Sequence, residues 1–330
     1  MLKGVWLGAL AAFTLVGCTS GEDTDGTDTD TSSTECENPV TPYPSSDAAV
    51  DFYYRGTVEA TMVTAEDSAT LTVADAAGPE AAGSTSWRGN TLVWESDAGL
   101  APSTTYTATL NYSCGERTWD FTTGSVGSAV TTPGDLVGNA YQLDIAGARF
   151  IEPAGIGSAL GSFLTFELYV GVTGVDGDNL DMIGALGAAG VQDVCETSIP
   201  FPTSDFSENP YFEVGPQDTT IVVQGYDITL MDLFISGSFA ADGSAIAGAE
   251  LNGSVDTREI VDIYQEGAAE DTICQLAEGL GVSCEECADG EMLCLTIIAD
   301  SINADVEDFT LQEITQEDID ANEDCDTDAG

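Results

Sequence analysis

Short runs in which apolar and polar residues alternate recur along this chain, and turn-forming residues separate them. In residues 105–112, Tyr106, Ala108 and Leu110 alternate with threonine and asparagine, which is the pattern of a strand with one buried face. Six more runs between residues 38 and 124 alternate in the same way: Val50–Tyr54, Thr57–Val63, Ala69–Asp75, Ser84–Arg88, Thr91–Glu95 and Thr118–Thr122. Seven short strands in so short a stretch predict a β-sandwich over residues 38–124.

The second half of the chain is also rich in strand patterns. Residues 125–135 are glycine, serine and threonine-rich and predict a linker, and residues 136–319 predict a second β-rich domain. Its clearest strand places Leu164, Phe166, Leu168, Val170 and Val172 inward and Thr165, Glu167, Tyr169 and Thr173 outward. Further strands are predicted at Thr220–Gln224, at Ile228–Phe239 with a hairpin turn at Asp242-Gly243, and at Ala245–Val255.

A helical insert interrupts this domain at about residues 256–281. Asp256 and Glu259 have the spacing of a capping box, and an apolar face recurs at helical spacing through Ile273, Leu276, Ala277 and Leu280. Strands resume at Leu293–Ile302 and at Phe309–Ile314, and residues 320–330 form an acidic tail. The predicted fold class is mainly β: a sandwich, then a second β-rich domain with a short helical insert stapled by disulfides.

The amino terminus has the pattern of an export signal. Lys3 precedes an apolar run, Gly4–Val16, that is too short to cross a bilayer as a helix. The next residues, Leu15-Val16-Gly17-Cys18, resemble the lipobox of bacterial lipoproteins. That resemblance implies a signal peptide of residues 1–17, lipid on Cys18 and, because Thr19 is not aspartate, delivery to the outer membrane. The alternative is an ordinary secretory signal followed by a chance cysteine.

Charge narrows the possible partners and chemistries. The chain has 58 acidic residues, six basic ones and no histidine, for a formal net charge of −52. A surface this negative repels nucleic acid and anionic lipid, and it argues against both as partners. Residues 18–37 are almost entirely small, polar or acidic and predict a disordered, lipidated tether. Histidine-dependent triads and catalytic lysines would need residues that the exported chain lacks.

A second resemblance concerns the predicted sandwich, which is similar to the bacterial Ig-like domains of surface-layer and cell-surface proteins. It is carried by Pro44, Leu71-Thr72-Val73, Asn90-Thr91-Leu92, Leu100-Ala101-Pro102-Ser103-Thr104-Thr105-Tyr106 and Trp119-Asp120-Phe121-Thr122-Thr123. The resemblance implies a spacer or adhesion module in which the hydroxyl of Tyr106 caps a backbone group. It also implies a Cys36–Cys114 bridge, since both positions fall at one end of such a sandwich.

Eight cysteines remain once Cys18 is set aside, an even number that predicts disulfides in an exported protein. They are Cys36, Cys114, Cys195, Cys274, Cys284, Cys287, Cys294 and Cys325. The cluster Cys274, Cys284, Cys287 and Cys294 also leaves open a zinc site or Cys-x-x-Cys redox chemistry. Spacing alone does not choose among the connectivities.

One loop has the oxygen ligands that calcium prefers: Asp176, Asp178, Asn179 and Asp181 alternate around Gly177. A solvated turn is the competing interpretation, since the spacing is not that of an EF-hand. We expect no other cofactor.

The sequence favours a non-catalytic role. The leading hypothesis is a surface-exposed lipoprotein, anchored to the membrane through its lipid, whose Ig-like stalk presents the second domain to an envelope or extracellular protein or glycan. One alternative is that the second domain carries an apolar ligand such as a lipid. A further alternative is a glycoside hydrolase that uses two carboxylates.

Overall fold

The computed structural model of the protein describes residues 36–45, 50–75, 78–153, 166–223, 226–279 and 281–325. The predicted signal peptide, the lipid site Cys18 and most of the tether lie outside these residues. The chain divides into two units, Met1–Glu37 and Asn38–Gly330, and the description below concerns the second. The prediction of a mainly β fold is confirmed.

The amino-terminal part of this unit is a seven-stranded β-sandwich. Its strands are β1 Val40–Tyr43, β2 Val58–Met62, β3 Thr70–Asp75, β4 Gly83–Arg88, β5 Thr91–Ser96, β6 Thr105–Tyr112 and β7 Gly115–Thr122. One sheet has the order β1-β2-β5-β4 and the other β3-β6-β7, all antiparallel. This is the strand arrangement of a constant-type immunoglobulin sandwich.

The alternating pattern located most of these strands correctly. In β6, Tyr106, Ala108 and Leu110 are buried as predicted. The hydroxyl of Tyr106 accepts a hydrogen bond from the Ala101 backbone N–H at 2.9 Å, so this tyrosine caps a backbone group at the corner before β6. Gly89, with φ of 60°, opens the two-residue turn that joins β4 to β5.

The first predicted strand, Val50–Tyr54, is wrong. The first strand is instead Val40–Tyr43, and residues 50–54 contribute only one isolated bridge, between Phe52 and Thr123. Phe52 is buried in the sandwich core, whereas Tyr53 and Tyr54 contact the second β-rich part, as described below. The alternating pattern of residues 50–54 therefore arises because neighbouring side chains are buried against different parts of the protein, and not because they form a strand.

The second part is built on one large antiparallel sheet. Its strands are β8 Ala140–Leu143, β9 Arg149–Glu152, β10 Glu167–Asp176, β11 Asn179–Ala188, β12 Val191–Gln192, β13 Ile199–Pro200, β14 Ser204–Asp205, β15 Tyr211–Val223, β16 Tyr226–Phe239, β17 Ala245–Asp256 and β18 Cys294–Val306. Their order is β12-β11-β10-β8-β18-β17-β16-β15, with β13 and β14 paired to β11 and β9 paired to β18. The hairpin predicted at Asp242-Gly243 is confirmed, with φ of 72° at Gly243.

This sheet curls around one main core. Buried residues from one end, such as Leu180 and Met182 on β11, belong to the same cluster as Phe212 and Ile235 on β15 and β16. The short strand β14 pairs with β11 and also contacts β15, so it links the two ends of the curl. The interior is therefore filled with side chains.

One face prediction in this sheet is wrong. Tyr169 on β10, predicted to point outward, is fully buried in a second, smaller core on the other side of the sheet. The chain after β18 covers it: Leu311 is buried there, and the Phe309 ring centroid lies 5.3 Å from that of Tyr169. Residues 309–314 were predicted as a strand, but they form an extended coil. Leu164 and Thr165 lie outside the described residues.

The described residues of this unit also form three α-helices: α1 Thr257–Tyr264, α2 Thr272–Gly279 and α3 Gln316–Ala321. Asp256 is the N-cap of α1, as predicted, and its side chain accepts from the Arg258 N–H. The predicted capping box is wrong, because the Glu259 carboxylate accepts from the Thr229 N–H instead. Leu276, predicted on the buried face of α2, is 45% exposed, while Cys274 and Ala277 are buried. Leu280 is not among the described residues.

The segment predicted as a linker is packed against both parts. Val130 is buried in the core of the curled sheet, and its backbone N–H and C=O bond to the Asn209 side chain at 2.9 and 3.0 Å. A 3₁₀ turn follows at Pro133–Leu136. None of the helices within the described ranges is long and apolar enough to cross a bilayer.

Candidate functional site

Arg149 is the centre of a charged contact between the sandwich and the curled sheet, which we call the joint. Its guanidinium donates from Nε to Asp300 Oδ1 at 2.8 Å and from Nη1 to Glu59 Oε1 at 3.0 Å, and it also pairs with Asp300 through Nη2. The guanidinium carbon lies 3.9 Å from the centroid of the Tyr43 ring. Glu59 and Tyr43 belong to the sandwich, whereas Arg149 and Asp300 belong to the curled sheet. The arginine therefore ties the two parts together.

Glu59 is the buried charge of the joint. Its side chain is only 6% exposed, and it accepts from Thr57 Oγ1 at 2.7 Å and from Arg88 Nη2 at 2.9 Å in addition to Arg149. Burial alone would raise the pKa of Glu59, but Arg149, Thr57 and Arg88 outweigh it and hold the pKa below the ordinary 4.5. This ionised carboxylate therefore stabilises the fold above about pH 4.5, and that contribution is lost as the pH falls below this value.

Two adjacent tyrosines extend the joint. The hydroxyls of Tyr53 and Tyr54 lie 2.8 and 3.1 Å from Oγ of Ser238, which is fully buried on β16. The Tyr53 ring lies against Gly248, where φ is 60° and an added Cβ would overlap the ring. Glycine is therefore required at this position for both space and backbone conformation.

A second arginine closes the edge of the joint. Arg55 Nη2 donates to Glu208 Oε2 at 2.5 Å, and its guanidinium carbon lies 3.9 Å from the Tyr211 ring centroid. Burial opposes the charge of Arg55, but the bond to Glu208 outweighs it and raises the pKa of the guanidinium. Of the five arginines in the chain, Arg55, Arg88 and Arg149 all serve the joint.

A row of acidic residues crosses the sheet beside the joint. Glu213 on β15 lies opposite Ser236 on β16, which lies opposite Glu250 on β17, and Asp300 is on the next strand. Burial raises the pKa of Glu250, and the charges of Asp300, Glu95 and Glu213 raise it further, while Arg149 opposes the shift. The folded protein thus favours the neutral form of Glu250 more than the unfolded chain does.

We expect Glu250→Gln to stabilise the protein at pH 8 and to have no effect near pH 3.5. Because the folded pKa of Glu250 lies above its unfolded value, the wild type loses stability as the pH rises through that folded pKa. Removing the charge should recover this loss, with a Tm gain of about 2 °C or more at pH 8. The measurement is thermal unfolding at both pH values.

The matched control is Glu116→Gln, which removes one negative charge at an exposed position of β7. It separates the local effect from a general relief of the net charge of −52. Equal Tm gains for the two variants would show that Glu250 experiences no special repulsion.

The six cysteines of the second part are oxidised in three bridges: Cys195–Cys325, Cys274–Cys284 and Cys287–Cys294. The Cys-x-x-Cys pair is thus divided between two bridges, so no thiol of this cluster is free for zinc or for exchange in this structure. Cys36 and Cys114 are each disulfide-bonded as well, and their pairing with each other stays a prediction. Cys325 lies in the predicted acidic tail of residues 320–330 and is bonded to Cys195, in the turn that follows β12.

The predicted calcium ligands lie at a β-hairpin. Asp176 pairs with Asn179 across the turn of Gly177 and Asp178, and the Asp181 carboxylate accepts from Thr203 Oγ1 at 2.5 Å. Over the described ranges, three acidic or thiol groups come within 4.8 Å of one another only at Asp256, Cys287 and Cys294. The hairpin accounts for the loop without an ion, and calcium binding there stays a prediction.

The insert between β17 and β18, residues 257–293, forms a lobe with a surface depression. We call this depression of about 470 Å³ the lobe groove, and it is lined by Glu270, Asp271, Glu291, Met292 and Leu293. Met292 is 58% exposed in it. A smaller cleft of about 200 Å³ lies beside β8 and β10, next to Gly138, Gly171 and Leu311. Neither depression is lined by a residue of the acidic row.

Sequence reasoning missed both the joint and the lobe groove. A signal for the joint was present, because arginines are scarce in so acidic a chain and three of the five were available to pair with buried carboxylates. The groove had no comparable signal. Its residues belong to two segments that the fold brings together.

Comparisons with known proteins identify no family. No protein-family model matches the sequence, and no curated protein matches it. Among solved structures, an uncharacterized protein from Listeria monocytogenes EGD-e matches at 14% identity and a TM-score of 0.18, over 62% of this chain and 20% of that one.

A second structure of the same Listeria protein, in complex with glucose, magnesium and calcium, matches at 12% identity and a TM-score of 0.17. It covers 67% of this chain and 21% of that chain, so this chain spans about a fifth of the Listeria protein. Scores this low carry no argument about the fold or the ligands of the present protein.

Proposed function

We propose that this protein is a non-catalytic, envelope-anchored presentation protein. Lipid on Cys18 attaches it to the outer membrane, residues 19–37 act as a tether, and the sandwich is a stalk that holds the second β-rich part toward an extracellular or envelope partner. The sequence Leu15-Val16-Gly17-Cys18 supports the membrane attachment, because two or three acyl chains on one cysteine anchor a protein stably.

The observation that supports this proposal is the joint. A protein that presents one part on a stalk needs a fixed relation between the stalk and that part. Arg149, Arg55 and the two tyrosines at Ser238 provide such fixed contacts. Hydrogen bonds to charged groups are each worth about 1.5 to 3 kcal/mol, which is enough to favour one arrangement strongly.

The anchor can be tested by substituting its cysteine. In cells that make the protein, we expect the wild type to sediment with the outer membrane and to carry a diacylglycerol adduct detectable by mass spectrometry. Cys18→Ser should remain unmodified and leave the membrane fraction. Thr19→Ser should behave like the wild type, whereas Thr19→Asp should move the protein to the inner membrane.

The side of the membrane needs a separate experiment. Protease added to intact cells should degrade the protein if it is displayed outside. If the protein survives on intact cells and is lost only after lysis, surface presentation is excluded. If Cys18→Ser still sediments with the outer membrane and carries lipid, the anchor itself is wrong.

A further inference from the structure

The lobe groove combines an apolar floor with an acidic rim. Its lining comprises two apolar residues, Met292 and Leu293, which we call the floor, and three acidic residues, Glu270, Asp271 and Glu291, which we call the rim. None of the ion pairs found within the described residues involves these three carboxylates. Arg258 is the only basic residue in the sequence from Asp256 to Cys294, and it is already paired with Asp256 and Asp289. The rim is therefore negative without an internal counter-charge.

The backbone beneath Met292 is held on both sides. The Glu291 carbonyl accepts from the Cys287 and Leu293 N–H groups, at 2.8 and 2.9 Å. The Leu293 carbonyl accepts from the backbone N–H and the hydroxyl of Thr257, at 2.9 and 2.7 Å.

Two disulfides then fix this segment. Cys287–Cys294 closes the loop that carries Met292. Cys274–Cys284 joins α2 to the segment that precedes this loop. The Met292 side chain is 58% exposed, while its backbone is held in place by these bonds. A preorganised apolar contact loses little entropy on binding, and methionine adapts its shape to a partner.

The chemistry of the groove selects the kind of partner. An inorganic cation would gain nothing from the apolar floor, and an anionic lipid surface would be repelled by the rim. A polypeptide segment with lysine or arginine on either side of an apolar side chain can contact the apolar floor and pair with the acidic rim at the same time. The net charge of −52 would also speed its approach. A depression of about 470 Å³ is within the usual range for binding sites, roughly 300 to 1,000 Å³.

We propose that the lobe groove docks a basic segment of another protein, which places an apolar side chain over Met292 and Leu293 and cationic side chains against Glu270, Asp271 and Glu291. This inference rests on the proposed presentation role, for which it names the presented surface and the chemistry of the partner.

The test uses the full-length purified protein and two synthetic peptides at about 0.15 M salt, where long-range charge effects are screened beyond about 8 Å. The first peptide is Lys-Lys-Leu-Phe-Leu-Lys-Lys, and the second replaces its three central residues with serine. Fluorescence anisotropy should show the apolar-centred peptide binding at least fivefold more tightly. General attraction to an acidic protein would give equal affinities, and that result would overturn the proposal.

Two variants locate the contact. Met292→Glu should lower the affinity for the apolar-centred peptide at least fivefold. If binding were only a general attraction between opposite charges, the added negative charge would raise the affinity instead. Val63→Glu, at a residue 65% exposed on the sandwich, adds the same charge and should change the affinity less than twofold. Equal effects of the two variants would contradict the proposal.

The charge of the rim has its own variant. The double variant Glu270→Gln/Glu291→Gln should weaken both peptides and flatten their salt dependence, whereas Glu116→Gln/Asp120→Asn on β7 should not. All of the substituted positions are exposed, so circular dichroism should show unchanged folding. A negative peptide result with normal lipid attachment and surface exposure would reject the groove and leave the proposed function standing.

Discussion

Arg149→Met is expected to lower the free energy of unfolding by about 3 to 5 kcal/mol, the usual cost of leaving a buried charge without its partner. Glu59 would keep Arg88, whose side chain is 38% exposed, but it would lose its more buried partner. Asp300 would lose a two-pronged contact, and the Tyr43 ring would lose the guanidinium stacked on it. Urea denaturation measures the loss.

The same variant should also separate the unfolding of the two parts. Trp87, Trp94 and Trp119 all lie in the sandwich, and the fourth tryptophan of the sequence, Trp6, falls in the predicted signal peptide. Fluorescence therefore reports on the sandwich, while far-ultraviolet circular dichroism reports on both parts. We expect the two transitions to coincide in the wild type, because the joint couples the parts, and to separate in Arg149→Met.

Two controls keep this interpretation specific. Arg258→Met removes an arginine that also bridges two carboxylates, but it lies in the lobe, so the loss should be much smaller and the two transitions should still coincide. The double variant Glu59→Gln/Arg149→Met should lose less than the sum of its single variants, since the buried charge of Glu59 is removed together with its partner Arg149. If Arg149→Met has nearly wild-type stability and its two transitions coincide, the joint does not couple the two parts.

The sequence predicted the strands of the sandwich well because each half-buried strand carries its own evidence in every second residue. It failed at residues 50–54, where the partners are remote. Phe52 packs into the sandwich, while Tyr53 and Tyr54 reach Ser238, more than 180 residues away along the chain. Local periodicity records that a side chain is buried, but it does not record which surface buries it.

Tyr169 shows the same limit in a different form. Its strand alternates correctly, and one face does lie in the main core, but the other face is covered by the coil around Phe309 and Leu311. The sequence predicts a strand for that coil, but nothing in its residues indicates that it covers Tyr169. The disulfide pairing could not be predicted from the spacing of the cysteines either, because Cys284 and Cys287 are close in sequence yet belong to different bridges.

The Cys195–Cys325 bridge should be the most stabilising of the three that the structure defines. It closes a separation of 130 residues, against 10 and 7 for Cys274–Cys284 and Cys287–Cys294. In the chain-entropy account, a cross-link restricts the unfolded chain more when it closes a longer loop. This gives about 5 kcal/mol for the long loop and about 2.5 kcal/mol for the shortest one.

The full stabilisation by the Cys195–Cys325 bridge is lost on its removal only if other contacts keep the native structure in place. The extended coil before α3 is bonded to the segment around Cys195, through the Ser198 N–H to the Ile314 carbonyl at 3.0 Å and the Ile314 N–H to Ser198 Oγ at 2.8 Å. Gln192 makes two further bonds with the backbone of Gln312, each of 2.8 Å. These bonds and the buried Leu311 should keep the coil in place without the bridge, so that its loss affects mainly the unfolded state.

We therefore expect Cys195→Ser/Cys325→Ser to lose about 3 to 5 kcal/mol in urea denaturation, and Cys287→Ser/Cys294→Ser to lose about 2 to 3 kcal/mol. Hydrogen exchange at the Ile314 amide distinguishes the two ways in which the first loss can arise. If that amide stays as protected as the amides of β10, the bridge acts through the unfolded chain. If it exchanges freely while the global stability barely changes, the bridge only pins the carboxyl-terminal segment, and the loop-length argument does not apply to this protein.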